Sequence, residues 1–382
     1  MKIAICSPYD FSFPGGVKSH ILDFSKELIN EGHEVTIFAP FSNENLQEIK
    51  SFNFFNLGKT LAFSFLGAKS RITLNIFKII SCINFIKKNN FDIVHLHEPL
   101  TPSQIIINLF INKNKLIGTF HSYSERKNPV YILFNKILSY FINRLSIKIC
   151  VSKFSELYIK KYFSFDSIII PNGININNFS KSTNIPKELD NNSKKILFVG
   201  RFDEERKGFK ILLKSFLNLK KFFVDLNLIV AGPGNKNKLK KYFLPPNFDN
   251  DIVFLGNISQ DKLPDYYKNV DLVCAPSIAN ESFGIILLEA MAAGSVLIAS
   301  SIESYKYLLE KNNYGFVYNS NSHEELGILI KKILSNELST EENIKNGLKN
   351  VQNYSWEKLV SEIINIYNNL LLKNIGKIKN NN

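Results

Sequence analysis

Short apolar runs alternate along the chain with longer stretches in which apolar residues return every third or fourth position. That pattern predicts buried parallel strands separated by amphipathic helices. Residues 2–7 read as a strand, 8–16 as a loop, and Val17, Ile21, Phe24, Leu28 and Ile29 as one side of a helix leading to a strand at 34–39. Residues 42–68 have little pattern and predict short strands and loops. A helix is expected over 71–88, with Ile72, Ile76, Ile79, Ile80, Ile83 and Ile86 on one face and Leu74 and Phe85 opposite, near Arg71 and Lys78. Strands follow at 91–96 and 115–120. A helix is expected over 129–148, then strands at 147–152 and 167–170 with a helix between them.

Pro171-Asn172-Gly173 interrupts this rhythm, and residues 175–193 are so rich in Asn, Ser and Lys that they predict a linker. Beyond it the pattern restarts. Strands are predicted at 195–199, 226–231, 252–255, 272–275, 296–299 and 315–317, and helices at 209–222, 236–242, 261–269, 304–309 and 322–335. The tail over 355–373 is amphipathic, through Trp356, Leu359, Val360, Ile363, Ile364, Tyr367, Leu370 and Leu371, with a frayed end after it. The expectation is an α/β protein of two parallel-sheet domains, 1–172 and 173–355, with a closing helix at 356–373.

A chain of 382 residues suits two domains of ~150–200 residues each. The formal charge of +13 favours anionic partners, yet only five of the 47 basic residues are arginine, and dispersed lysine is mostly solvated surface. Arg201 and Arg206 stand out because one short loop holds both. Cys6, Cys82, Cys150 and Cys274 form no CxxC pair, which argues against a disulfide framework and a cysteine zinc site and fits a reducing cytoplasm. The N-terminal apolar run ends at Pro8, too early for a signal peptide, and no uncharged apolar run reaches the ~18 residues of a spanning helix. Apolar tips among the cations of 71–88 fit a core helix with a solvated outer face, and also a membrane-surface face.

The candidate chemistry gathers around residues 280–294. Glu281 precedes a helix opening near Gly284, and Glu289 lies about a turn and a half inside it. Ser282, Phe283 and Gly284 offer backbone N–H groups at the positive end of a helix dipole, suited to phosphate or sugar oxygens. The loop 200–208 leaves the carboxyl end of a strand, where ligands bind in open sheets, with Arg201 and Lys207 bracketing it. These cations and N–H groups suit a diphosphate, Glu289 a ribose diol and Glu281 a sugar hydroxyl. In the first half, Pro14-Gly15-Gly16 is a phosphate-type turn without GxGxxG spacing, and no acid closes the second strand, which disfavours a nicotinamide dinucleotide. His95 and His97 share one side of their strand, but no third ligand cluster is visible, so no metal is expected. His121 falls at the carboxyl end of the strand 115–120.

In order along the chain, Pro8-Tyr9, Pro14-Gly15-Gly16-Val17, Gly32-His33-Glu34-Val35, His97-Glu98-Pro99, Thr119-Phe120-His121-Ser122, Pro171-Asn172-Gly173 and the segment 281–294 with its E-x7-E spacing resemble the retaining glycosyltransferases of family 4. The group they look most like is the bacterial phosphatidylinositol mannosyltransferases. The resemblance covers almost the whole chain. It implies a GT-B fold, two Rossmann-like domains facing each other across a cleft, with the tail helix crossing back to the first domain. Arg201 and Lys207 would hold the diphosphate of a nucleotide-sugar donor, Glu289 its ribose and Glu281 the transferred hexose; Gly232 would lie by the base. His121, Gly15 and Gly16 would meet the sugar and acceptor side, and Tyr9 an acceptor polyol. Fixed cations and N–H dipoles would stabilise the leaving diphosphate, so no cofactor and no metal would be needed, and the leaving phosphate would accept the acceptor's proton in place of a dedicated base.

The expected activity is transfer of a hexose, mannose from GDP-mannose, to a phosphatidylinositol-like or other polyol acceptor with retention, by a cytoplasmic protein peripheral to an anionic membrane. A family 4 transferase using a UDP-sugar and another lipid or glycan acceptor is the alternative. One departure from the group is that residues 80–86 carry no charge where its members have a dense basic cluster. A GT-B epimerase would need a second carboxylate pair, which is not visible. A basic membrane- or nucleic-acid-binding protein would show clustered charge with interleaved aromatics, and no nucleic acid partner is expected.

Overall fold

The computed structural model describes residues 1–42, 49–65, 68–181, 184–237, 239, 250–309 and 313–379. The chain forms two compact units, Met1–Gly173 with Trp356–Asn382, and Ile174–Ser355.

The first unit contains β1 (Lys2–Cys6), α1 (Gly16–Asn30), β2 (Glu34–Ala39), β3 (Asn53–Asn56), β4 (Leu61–Phe65), β5 (Ala68–Ile72), α2 (Ile76–Lys88), β6 (Ile93–His97), α3 (Pro102–Phe110), β7 (Leu116–Phe120), α4 (Pro129–Leu133), α5 (Asn135–Arg144), β8 (Ile147–Cys150), α6 (Lys153–Lys160) and β9 (Ile168–Ile169). Seven strands form a parallel sheet in the order β3-β2-β1-β6-β7-β8-β9, and β4 and β5 form a separate antiparallel hairpin. Successive strand residues face opposite sides, so a sheet covered on both faces needs unbroken apolar runs. Ile3 and Ile5 accordingly pack with α1 and the C-terminal helix (Trp356–Lys379) through Ile21, Phe24, Trp356, Val360 and Tyr367. Ala4 and Cys6 pack on the other face with Ile79, Ile83, Ile107, Leu138 and Ile159 from α2, α3, α5 and α6.

The second unit contains α7 (Ile176–Ser180), β10 (Lys194–Val199), α8 (Phe209–Leu219), β11 (Leu226–Ala231), β12 (Ile252–Gly256), α9 (Leu263–Lys268), β13 (Leu272–Ala275), α10 (Ile285–Ala293), β14 (Leu297–Ser300), α11 (Glu303–Leu309), β15 (Phe316–Tyr318), α12 (His323–Leu334) and α13 (Glu341–Val351). Its parallel sheet has the order β12-β11-β10-β13-β14-β15. Both sheets reverse direction beside their first strand: the chain moves outward from β1 to β3 and returns at β6, and outward from β10 to β12 and returns at β13. Such switch points open a crevice at the strands' carboxyl ends, where open α/β sheets bind ligands.

Several expectations are corrected. Residues 68–72 are strand β5, paired with β4, and α2 starts only at Ile76, where the Asn75 side chain accepts a hydrogen bond from the Lys78 N–H. Ile76 and Ile80 are exposed and not part of the buried face formed by Ile79, Cys82, Ile83 and Ile86. Helices α3 and α13 are additional. The single helix expected over 129–148 is two, broken at Phe134. The segment 175–193 is no free linker, since Phe179 and Leu189 are buried in the second unit's core. The expected helix 236–242 lies largely outside the described residues, and the tail stays helical to Lys379.

Gly173 shows how tightly the C-terminal helix is seated. A Cβ there would lie 2.4 Å from Trp356 Cδ2. Overpacking of this kind costs about 1–3 kcal/mol. Gly173→Ala is expected to lower the unfolding midpoint and to shift the emission of Trp356, the sole tryptophan. Unchanged fluorescence and midpoint would refute the contact.

Candidate functional site

In the second unit the loops after β10 and β13, on either side of the switch point, are pressed together. Gly208 makes this approach possible: its φ is +66°, and a Cβ would lie 1.8 Å from the Pro276 carbonyl oxygen. The Ile278 N–H donates to the Arg206 carbonyl at 2.8 Å. Gly232 likewise has φ +137°, with a Cβ position 2.1 Å from the Gly200 oxygen. These approaches align a chain of charges. Arg201 Nε pairs with Glu204 Oε1 at 3.2 Å, Glu204 Oε2 with Arg206 at 3.0 Å, and Arg206 with Glu281 Oε1 at 2.9 Å. Lys207 Nζ reaches the same Glu281 oxygen at 2.5 Å, and Ser277 donates to it at 3.3 Å.

Burial pushes the Glu281 carboxyl up, but Lys207 and Arg206 together override that cost and hold it below the usual carboxylate range. For Arg206, burial works against the charge, and Glu281 and Glu204 more than restore it. Three cations and two carboxylates leave the cluster with one net positive charge. Of its members Arg201, Lys207 and Glu281 are legible from the sequence as ligand-binding candidates, and Arg206 only as the second arginine in a short loop of an arginine-poor chain. Its ion pair with Glu281, and Glu204 between the two arginines, are not legible there.

Next to this cluster, Ser282 and Phe283 lead into α10, which Gly284 caps at φ +93° with a Cβ position 2.6 Å from the Tyr305 ring. Phe283 packs edge-on against Tyr354. Glu289, within α10, is held separately: the buried Tyr267 hydroxyl donates to its Oε2 at 2.5 Å. That tyrosine has no sequence signal, because its partner is 22 residues away on another element.

The first unit assembles the other candidates at its own switch point. Gly15 and Gly16 open α1, and one turn further His20 lies edge-on to His121, with ring centroids 4.8 Å apart. His121 follows β7 and His97 ends β6, and His97 Nδ1 lies 2.8 Å from His121 Nε2. Glu98, buried and with φ +51°, accepts the His121 N–H and the Ser122 hydroxyl, each at 2.8 Å. Tyr9 stands beside Glu98 and Ser122, its phenol pushed up by burial and by Glu98. Asp10 anchors the preceding loop by accepting from Ser42 Oγ at 2.5 Å and Thr60 Oγ1 at 2.6 Å. Burial raises that carboxyl, and these hydrogen bonds reverse the effect.

The histidines correct one expectation. His95 and His97 do stack, at 4.6 Å, but His95 is committed to Tyr367 and Thr119, each at 2.6 Å. The grouping that can be considered for a metal is instead His20, His97 and His121, each of which offers one ring nitrogen within 4.8 Å of the others. A tetrahedral zinc with ligands at ~2.0–2.1 Å would space its nitrogens roughly 3.3 Å apart. The 2.8 Å separation of His97 and His121 is that of a hydrogen bond.

Comparison with known proteins finds matches for both halves of the chain. Residues 14–178 match the family model described as Glycosyltransferase Family 4, and residues 180–351 the model described as Glycosyl transferases group 1. A phosphatidyl-myo-inositol mannosyltransferase of Mycobacterium leprae (strain TN) is 28% identical over 368 residues, covering 96% of this chain and 96% of the relative. Among solved structures, the sucrose-phosphate synthase of Thermosynechococcus elongatus superposes with a TM-score of 0.75 at 17% identity, over 98% of this chain and 100% of that one. Anabaena Alr3699/HepE in complex with UDP-glucose gives 0.74 at 18% identity, over 97% and 100%.

Proposed function

The chain belongs to glycosyltransferase family 4 and is a hexosyltransferase with the GT-B fold, and from that premise we propose that it transfers mannose from GDP-mannose, with retention, to an inositol phospholipid or a related polyol. The observation that carries this reading is the charge chain from Arg201 to Lys207 and Glu281 at a sheet's switch point. Its surplus positive charge, next to the N-terminus of α10, suits a nucleotide diphosphate. Arg201 and Lys207 hold the diphosphate and stabilise it electrostatically as it leaves. Glu289, fixed by Tyr267, takes the ribose, and Gly232 leaves room for the nucleotide by its base. Glu281 addresses the hexose. Gly15, Gly16 and His121 serve the sugar and Tyr9 the acceptor. This reading requires no cofactor. The mannose and inositol-lipid assignments rest on the activity for which the mycobacterial relative is named.

No described helix is long and apolar enough to cross a membrane. The outer face of the first unit supports peripheral contact with an anionic lipid surface, where such an acceptor lies. Phe77, Leu133 and Ile137 are 86%, 76% and 59% exposed, and residues 59–88 and 126–155 contain basic residues but no acid. Phe77 and Lys78 on α2, and Leu133 and Lys136 around α4 and α5, then take the place of a dense basic cluster.

Thermal unfolding with GDP-mannose, UDP-glucose and UDP-GlcNAc tests the donor. At about 100 times its dissociation constant, GDP-mannose is expected to stabilise the protein by ~2.7 kcal/mol and the UDP-sugars by far less. Preference for a UDP-sugar would replace the donor, and no shift with any of them would overturn the reading.

A further inference from the structure

We propose that His97 and Glu98 are positioning residues that lock His121 into one orientation and one tautomer, with its proton on Nδ1. This rests on the role given to His121 in sugar transfer.

Strands β6 and β7 are parallel neighbours with His97 in register with Thr119, so two consecutive residues leave β6 where His121 leaves β7. They grip it in different ways. Glu98 holds the backbone, through the His121 N–H and the adjoining Ser122 hydroxyl, and donates its own N–H to the Thr119 carbonyl at 2.8 Å. It does so at φ +51°, a left-handed conformation that non-glycine residues rarely adopt. His97 holds the ring. The two imidazoles meet edge to edge through their hydrogen bond, with their planes 27° apart and centroids 5.1 Å apart, and His20 closes the edge, itself tied to Asn172 Oδ1 at 2.9 Å.

The tautomer follows from the accounting of protons. Burial keeps these imidazoles neutral, so each carries a single N–H. His97 Nε2 is buried and has no hydrogen-bond partner. If His121 Nε2 donated to His97 Nδ1, the proton of His97 would sit on Nε2 as a buried N–H without an acceptor. The opposite arrangement leaves there only a bare lone pair, the smaller penalty. His97 Nδ1–H therefore donates to His121 Nε2, and His121 carries its proton on Nδ1. Its Nε2 is engaged by His97, and Nδ1 makes no hydrogen bond to a described residue. His121 then meets a ligand as a hydrogen-bond donor to a hydroxyl or phosphate oxygen, and does not act as a general base through Nε2.

Long-range 15N–1H correlation spectra of the 15N-histidine-labelled full-length protein test this without a substrate, with His121→Asn assigning the resonance. The expected result is a single His121 tautomer protonated at Nδ1 in the wild type and a mixture in His97→Phe. Protonation at Nε2, or an unchanged His121 in His97→Phe, would overturn the proposal. Joint displacement of His20, His97 and His121 signals by added zinc chloride would do so as well, because the three would then be ligands. In transfer assays His97→Phe should lower kcat about 10–100-fold with little change in KM, the scale on which partners that orient an imidazole act. His97→Asn, which retains an N–H donor, should recover most of it, and Glu98→Gln should outperform Glu98→Ala. Equal loss in His97→Phe and His97→Asn, or in Glu98→Gln and Glu98→Ala, would mean a merely structural role. A wild type that transfers nothing would count against the proposed function, and the spectra would still decide the tautomer.

Discussion

Glu281→Gln is expected to cut hexose transfer by about 10²–10³-fold while leaving nucleotide binding intact or stronger, a split that follows from the charges around it. The wild-type carboxylate receives Arg206, Lys207 and Ser277 on one oxygen, Oε1. Glutamine retains the shape but removes the charge, so the cluster changes from one net positive charge to two. A diphosphate should therefore bind at least as well. Transfer fails for a different reason: the hexose loses its carboxylate partner, and Lys207 and Arg206 lose the anion that fixes their positions. Arg206 still has Glu204 at 3.0 Å, so the loop should stay folded, at a cost of about 1–3 kcal/mol. Calorimetric titration with GDP beside a transfer assay separates the two effects. Wild-type turnover, or a parallel loss of GDP affinity and rate, would refute the role assigned to Glu281.

The strands were the most readable feature of the sequence, because a parallel sheet covered on both faces demands unbroken apolar runs such as Ile3 to Cys6 and Leu228 to Ala231. Helix limits were harder. Ile72 fits the helical spacing of 76–86, yet Asn75 caps α2 after it, and nothing as plain as glycine or proline marks the break at Phe134. Polar composition hid the anchors Phe179 and Leu189 in the expected linker, since two buried residues suffice to pin a segment. At the site, loop position was enough to single out Arg201, Lys207 and Glu281. Arg206 stands out there only as a second arginine, and its ion pair with Glu281, like the part played by Glu204, emerges only when two loops meet. His20 lies on α1, His95 and His97 on β6 and His121 in the loop after β7, and only the fold brings them together, so an HxH pair was visible and its actual partners were not.

The same histidines make the first unit acid-labile, and a steep loss of stability between pH 6.5 and 5 is expected. Burial lowers His20 to about 4 and His95 to about 3, while burial and neighbouring imidazoles hold His97 and His121 well below the usual 6.5. In the unfolded chain all four titrate near 6.5. The unfolded state therefore binds more protons as the pH falls through 6.5, and folding stability declines until the folded values are reached. At pH 5 each such imidazole costs about 2 kcal/mol relative to neutral pH. Asp23 acts in the opposite direction: burial raises its carboxyl to about 6, so the folded state takes up that proton first and regains about 1.4 kcal/mol by pH 5. Glu98, also raised by burial, has the same sign as Asp23. Four imidazoles outweigh these two carboxyls, and the net loss is comparable with the ~5–15 kcal/mol that holds a typical domain folded. Asp10 and Glu281, held below the usual carboxylate range, add to the loss only at lower pH. Urea unfolding at pH 8, 7, 6 and 5 measures the effect, and His95→Phe should reduce the pH slope by close to one proton. Constant stability between pH 7 and 5 would show that these imidazoles are not buried as neutral groups.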